Sequence, residues 1–197
     1  MLNLNPLSVI VLSNDELRHI HSINNSWSDG SNPTKNIKNR ISIHTLREQS
    51  CICAYCERVL CKGEVEIEHI ADKGTYRQFT YESLNLVSAC RSCNSTANKG
   101  TKPSIRTLNA VYRNCVFLIV HPYFDNPDEH LFYSDENKII YDIDRCTNKG
   151  KATINMFNWH EQWAIEFRAN QARIRDFNYP IDIEIKIQEI SIYKRSS

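Results

Sequence analysis

Four cysteines, one acid–histidine pair and two asparagines are the residues of this chain whose types and spacing could do chemistry. Cys53-Ala-Tyr-Cys56 and Cys90-Arg-Ser-Cys93 are two Cys-x-x-Cys knuckles. Each turns two thiolates toward one ion, and together they complete a tetrahedral shell of the kind that holds structural zinc. Glu68-His69 and Asn85 lie between the knuckles, and Asn94 follows the second. A closed four-thiolate site needs none of these, so they point to a second chemistry. A neutral imidazole with a pKa of about 6.5 suits a general base. A carboxylate with an amide oxygen, Glu68 with Asn94, is a sparse oxygen set for Mg²⁺ or Mn²⁺ that leaves room for phosphate oxygens. A base, a hard cation and a soft structural metal together predict metal-assisted hydrolysis by a protein with two metals in different jobs.

The elements that must position these residues can be read in order. Residues 1–50 predict a helical flank. Ser13-Asn-Asp-Glu16 is a capping-box pattern with Leu17, Ile20 and Ile23 at helical spacing after it. Asn32-Pro33 restarts a helix, with Ile37, Ile41 and His44 on one face. Residues 51–103 form the central module. Arg58–Cys61 and Glu64–Ile70 flank Lys62-Gly63 and predict a hairpin. Strict alternation puts Glu68 and His69 on opposite faces; to serve one site, the strand must end or bend at this pair, or the His must reach over the strand end. Leu84–Ala89 leads into the second knuckle. Asn94–Lys99 reads as the first turns of a helix, with Asn94 and Asn98 sharing a face until Gly100 and Pro103 end it.

Residues 104–197 read as a mixed α/β region: a strand over Val116–Val120, a turn-rich loop from His121 to His130, and a second hairpin of Leu131–Ser134 with Lys138–Ile143. Helices follow over Ala152–Phe157 and Trp159–Phe177, the latter with Trp163, Phe167 and Ile174 along one side. Ile181, Ile183, Ile185 and Ile187 alternate as in a strand, while Ile183, Ile187 and Ile190 also fit a helix. Trp159, Trp163 and Phe167 suit either an internal core or the aromatic anchor of a partner interface.

Composition narrows the function classes. No run of about 18 apolar residues exists, so no membrane span is expected. The first residues lack the pattern of a signal peptide, which predicts a cytoplasmic chain whose eight cysteines bind metal or pack rather than form disulfides. Cys51, Cys61, Cys115 and Cys146 read as small buried residues. No thioredoxin-like pattern surrounds either knuckle, which argues against a redox role. The net charge of +1 gives no global pull toward nucleic acid. Between Ser83 and Val120, however, stand Arg91, Lys99, Lys102, Arg106 and Arg113 with no acidic residue. Of these, Arg91, Lys99, Lys102 and Arg106 are the candidate phosphate contacts.

Over residues 51–100 the pattern resembles the HNH endonucleases, the ββα-metal fold, in the form framed by two Cys-x-x-Cys knuckles. The resemblance implies His69 as catalytic base, Glu68 and Asn94 as ligands of a catalytic metal, and Asn85 as a brace of the catalytic loop. The family's usual ending is Cys-Asn-x-x-Lys-Gly. Here Asn94-Ser-Thr-Ala-Asn98-Lys99-Gly100 holds two extra residues, with room for Asn98 to take a second ligand position. With the later His-Pro-Tyr-x-Asp-Asn-Pro loop and Lys-Gly-x-x-Thr-Ile, the chain is more loosely similar to the HNH subunit of Septu and retron-associated bacterial defence systems (PtuB-like). That similarity implies a DNA-cutting effector working with an ATPase subunit. The expectation is an α+β chain: a central ββα-metal module stapled by a four-cysteine zinc site, with a helical N-terminal flank and a mixed α/β C-terminal flank. The alternative is a zinc-stapled binding subunit for nucleic acid or protein, without catalysis.

Overall fold

The structure is a computed structural model describing residues 1–4, 8–175 and 182–190, with backbone alone at Ile174 and Arg175. Its N-terminal helices begin where side chains satisfy the first free amides. Helix α1, Asn14–Ser22, starts at Ser13: the Ser13 hydroxyl accepts from the Glu16 amide, and the Glu16 carboxylate accepts from the Ser13 amide. Helix α2, Asn32–Glu48, is capped by Ser31 with Pro33 in its first turn. Its buried face carries Ile37, Ile41, Ser42, Thr45 and Leu46.

That face meets an antiparallel pair of strands, β1 (Val65–His69) and β2 (Leu86–Cys90). Thr45 and Ser88 hydroxyls lie 2.7 Å apart. The Gln49 side chain donates to the Ser88 carbonyl and accepts from the Ser88 amide, each at 2.8 Å, and so stands in for a neighbouring strand at that residue. A short helix α3, Arg91–Asn94, follows β2 directly. Further on come β3 (Ile105–Thr107) paired with β4 (Val116–Phe117), then α4 (Asn148–Met156), α5 (Gln162–Arg175) and α6 (Ile183–Ile190). The chain is mixed α+β, with small two-stranded sheets among the described residues.

Two apolar clusters clasp the β1–β2 pair. The main core joins Leu46, Tyr55, Ile70, Val87 and Ile119 to Ile154, Phe157, Trp159 and Ile190. The second lies under α1 and α2 and joins Ile20, Ile37, Ile41, Ile67, Tyr81 and Leu86, with Trp27 against it. In the register, Glu68 stands opposite Val87 and His69 opposite Leu86. Cross-strand partners share a face, so Glu68 looks toward the main core and His69 toward the N-terminal helices. Strand alternation is obeyed: both residues belong to β1, His69 is its last, and the strand does not bend to bring them to one face.

Several local expectations are corrected. Arg58–Cys61 is not the partner of β1. It closes a knuckle turn instead, with Leu60 N bonded to Cys51 O at 2.8 Å and Cys53 N to Arg58 O at 2.9 Å. Lys62-Gly63 does turn the chain, with Gly63 at φ 81°, but it turns it into β1. The helix expected over Asn94–Lys99 stops at Asn94, and turns replace it. The strand at Val116–Val120 shortens to two residues, with one further bond in register from Leu118 N to Ser104 O. The second hairpin reduces to a Tyr133–Tyr141 bridge. Ile183–Ile190 is helical, its buried residues being Ile187 and Ile190; Ile181 and Phe177 lie outside the described residues. Trp159 is core, 2% exposed, whereas Trp163 is 38% exposed. Cys61 is exposed rather than buried.

Candidate metal centre and acid–histidine site

The knuckle cysteines converge. One sulfur from each of Cys53, Cys56, Cys90 and Cys93 lies within 4.8 Å of the others, and Cys56 and Cys90 sulfurs are 3.8 Å apart. Cys90 N points at Cys53 Sγ (3.3 Å), and Cys93 N at Cys90 Sγ (3.4 Å). Hydrogen bonds from Cys53, Cys56 and Cys93 hold the Cys90 thiol far below its usual range. Sharing those bonds pushes Cys56 and Cys93 well up. Four thiols this close ionise together only around a multivalent cation, and four soft sulfurs could hold one such as zinc. This is the one such cluster of His, Cys, Asp and Glu among the described residues. His121 and His130 do not join it.

His69 is 2% exposed. Its Nε2 lies 3.1 Å from the Thr80 carbonyl, which only accepts, so Nε2 carries the proton. Nδ1 is buried with no hydrogen-bond partner. Burial, helped by the Lys73 ammonium, lowers the imidazole pKa to about 3, which keeps it neutral near pH 7. Trp27 packs over the ring edge-on, with centroids 4.5 Å apart, and Lys38 Nζ sits 5.0 Å above the Trp27 ring.

Glu68 is equally enclosed, and its partner is Lys99. The Lys99 Nζ to Glu68 Oε1 distance is 2.5 Å, with side chains 0% and 5% exposed. Burial raises the Glu68 pKa against the pull of Lys99. The Tyr55 hydroxyl lies 3.5 Å from the same oxygen.

Asn85 is fully buried and ties the loop after β1 shut. Its Nδ2 donates to Ala71 O (3.1 Å) and Phe79 O (2.9 Å), and its Oδ1 accepts from Ala71 N (2.6 Å) and Tyr112 OH (2.9 Å). That loop delivers the Thr80 carbonyl to His69. Behind it, Tyr112 OH lies 3.0 Å from His121 Nε2.

The remaining predicted residues scatter. Asn94 donates to Glu66 at 2.6 Å, and no contact joins it to Glu68. Asn98 does not share a helical face with Asn94: its Nδ2 donates to Ser92 O, and its Oδ1 accepts from Asn158. Lys99 is no surface phosphate contact. Lys102 is spent on the carbonyls of Ala97 and Met156, 3.1 Å each. Arg91 and Arg106 are on the surface, Arg91 3.7 Å from Glu66. No spacing in the sequence links Trp27 to His69, or His121 through Tyr112 to Asn85. Trp27 carried one signal, a large aromatic inside an otherwise polar loop.

Among the described residues no helix is long and apolar enough to cross a membrane. No protein-family model matches this chain, and no curated protein matches its sequence.

Proposed function

We propose that this chain is an HNH-type endonuclease that hydrolyses DNA phosphodiester bonds with His69 Nδ1 as general base. One observation carries the reading: a buried, neutral imidazole whose Nε2–H is fixed on the Thr80 carbonyl and whose Nδ1 lone pair has no partner. The lone pair is free to take a proton, but the burial and lysine charges that lower the pKa to about 3 oppose it, so an arriving phosphate has to offset that positive field before Nδ1 acts as base. Nδ1 takes a proton from the attacking water, and the Thr80 carbonyl then stabilises the imidazolium through Nε2–H. The order β1, β2, α3, the flanking knuckles and the Asn85 brace support the HNH assignment. Lys38, Lys73 and Lys99 all act on the His69 charge, so a phosphate arriving there meets a positive field.

A Mg²⁺ or Mn²⁺ ion, when bound, supplies charge to the scissile phosphate and leaving oxygen. Glu68 fits such an ion in chemistry, because it already holds a cation, the Lys99 ammonium. Asn94 is bonded to Glu66 and not to Glu68, so the carboxylate of Glu68 is the ligand this reading rests on. Trp27 covers the base, so substrate reaches Nδ1 only after Trp27 moves.

We place this activity in an anti-phage defence complex with an ATPase subunit. The looser family resemblance supports that setting, as do the near-neutral chain and the exposed Trp163 on α5. The second reading, a silent zinc-stapled binding subunit, has one observation in its favour: Glu68 and His69 are both covered. Supercoiled plasmid incubated with the zinc-loaded chain and Mg²⁺ or Mn²⁺, alone and with a neighbouring ATPase, decides between them. Nicking supports the nuclease. DNA retention without nicking in either metal, with and without the ATPase, supports the silent subunit.

A further inference from the structure

We infer that the Lys99 ammonium is a built-in occupant of the cation position on Glu68, one that a divalent ion has to displace, so that Lys99 sets the metal affinity of the site. The inference rests on reading Glu68 as the metal-ligating carboxylate.

A lysine usually keeps its ammonium in water and buries only its stem. Lys99 buries both; it is 0% exposed. Its Nζ meets Glu68 Oε1 at 2.5 Å, His69 O at 2.8 Å and Gly100 O at 3.5 Å. Three N–H groups thus face three oxygens, the full complement of an ammonium. One carboxylate and two carbonyls are also the donors that a hard divalent cation selects. Geometrically, the nest around Nζ is a cation site made of oxygen.

The turn after α3 is what brings Lys99 inward. After α3 the chain folds back on the knuckle: Asn98 N bonds Ser95 O (3.1 Å) and Lys99 N bonds Cys93 O (3.2 Å). Gly100, at φ 45°, allows this, since a Cβ there would stand 2.9 Å from Thr96 Cα. The turn is therefore anchored to a cysteine of the metal cluster and aims Lys99 at Glu68. A divalent ion in this nest would take the same Glu68 Oε1, His69 O and Gly100 O that Nζ holds, and two cations do not fit a space this closed, so binding of one releases the other.

The test is a Mn²⁺ titration of the zinc-loaded full chain, read by the electron paramagnetic resonance of free Mn²⁺. Lys99→Gln should tighten Mn²⁺ binding about tenfold or more, the scale on which a neighbouring charge shifts an ionic equilibrium. Lys99→Arg should leave it weak, and Glu68→Gln added to Lys99→Gln should abolish the gain. Equal affinity in wild type and Lys99→Gln overturns the inference, as does a gain that survives Glu68→Gln. Lys99→Gln leaves Glu68 buried without its cation and threatens folding, so a second measurement uses wild type alone. Acetylation mapped by mass spectrometry should find Lys99 inert without Mn²⁺ and reactive at saturating Mn²⁺. Unchanged reactivity overturns the inference. Neither readout involves cleavage: a chain that passes both and never nicks plasmid loses the nuclease reading and keeps this one.

Discussion

The Trp27 indole stands edge-on over the His69 imidazole, with ring planes at 90°. The loop that carries it is tied down at Ser26 O by Tyr81 OH (3.1 Å) and at Asn24 O by Arg77 Nε (2.9 Å). The N-terminal flank therefore reaches the candidate base through one aromatic side chain and two hydrogen bonds.

Removing that cover should expose His69. In Trp27→Ala, diethylpyrocarbonate should modify His69 several-fold faster than in wild type, by peptide mapping. His121, sealed in the main core, should stay inert in both. An unchanged His69 rate would show that Trp27 does not control access.

Losing the knuckle metal should loosen the molecule, because here metal binding is folding free energy. Cys53→Ser and Cys93→Ser should lower both metal content and melting temperature. Cys61→Ser, at an exposed position, should change neither. A full equivalent of zinc in the Cys93→Ser protein contradicts the four-cysteine assignment.

Asn85→Ala should cost about 3–5 kcal/mol, since it strands four buried hydrogen-bonding groups on Ala71, Phe79 and Tyr112. Denaturant unfolding measures this. A loss under about 1 kcal/mol would mean the loop holds itself without the brace.

Acid should destabilise the chain through His121. Burial holds its pKa well below the ordinary value, with Lys149 and Arg113 adding repulsion. Its Nδ1 accepts from Tyr123 N at 3.2 Å, and its Nε2 faces Tyr112 OH. The folded state needs the imidazole neutral, and the unfolded chain protonates near pH 6.5. Its contribution is thus complete above about pH 6.5 and declines as pH falls toward the depressed folded value. The acid slope of stability should shrink in His121→Gln, measured by urea unfolding from pH 7 to 4.

The sequence made some of this legible and not the rest, for physical reasons. Ser13 to Glu16 is a local signal read by its own backbone, and the capping box forms. The knuckles are equally local, since two residues between cysteines suffice to aim both sulfurs. The pairing of β1 is not local. Lys62-Gly63 is a good turn, yet β1 pairs with Leu86–Cys90 across the intervening loop, because Leu86 and Val87 each bury completely in a cluster. Lys99 looked like a phosphate contact because charge composition says nothing of direction. The turn at Gly100 points it inward. Trp27 over His69 is a contact between separate segments that no spacing rule encodes.

The most direct test of His69 as base is chemical rescue of plasmid nicking in Mn²⁺, with equal zinc content verified for wild type and His69→Ala. His69→Ala should lose about 10²-fold or more of the rate, and added imidazole should restore part of it by filling the vacated space. Nicking by His69→Ala at the wild-type rate would contradict the account.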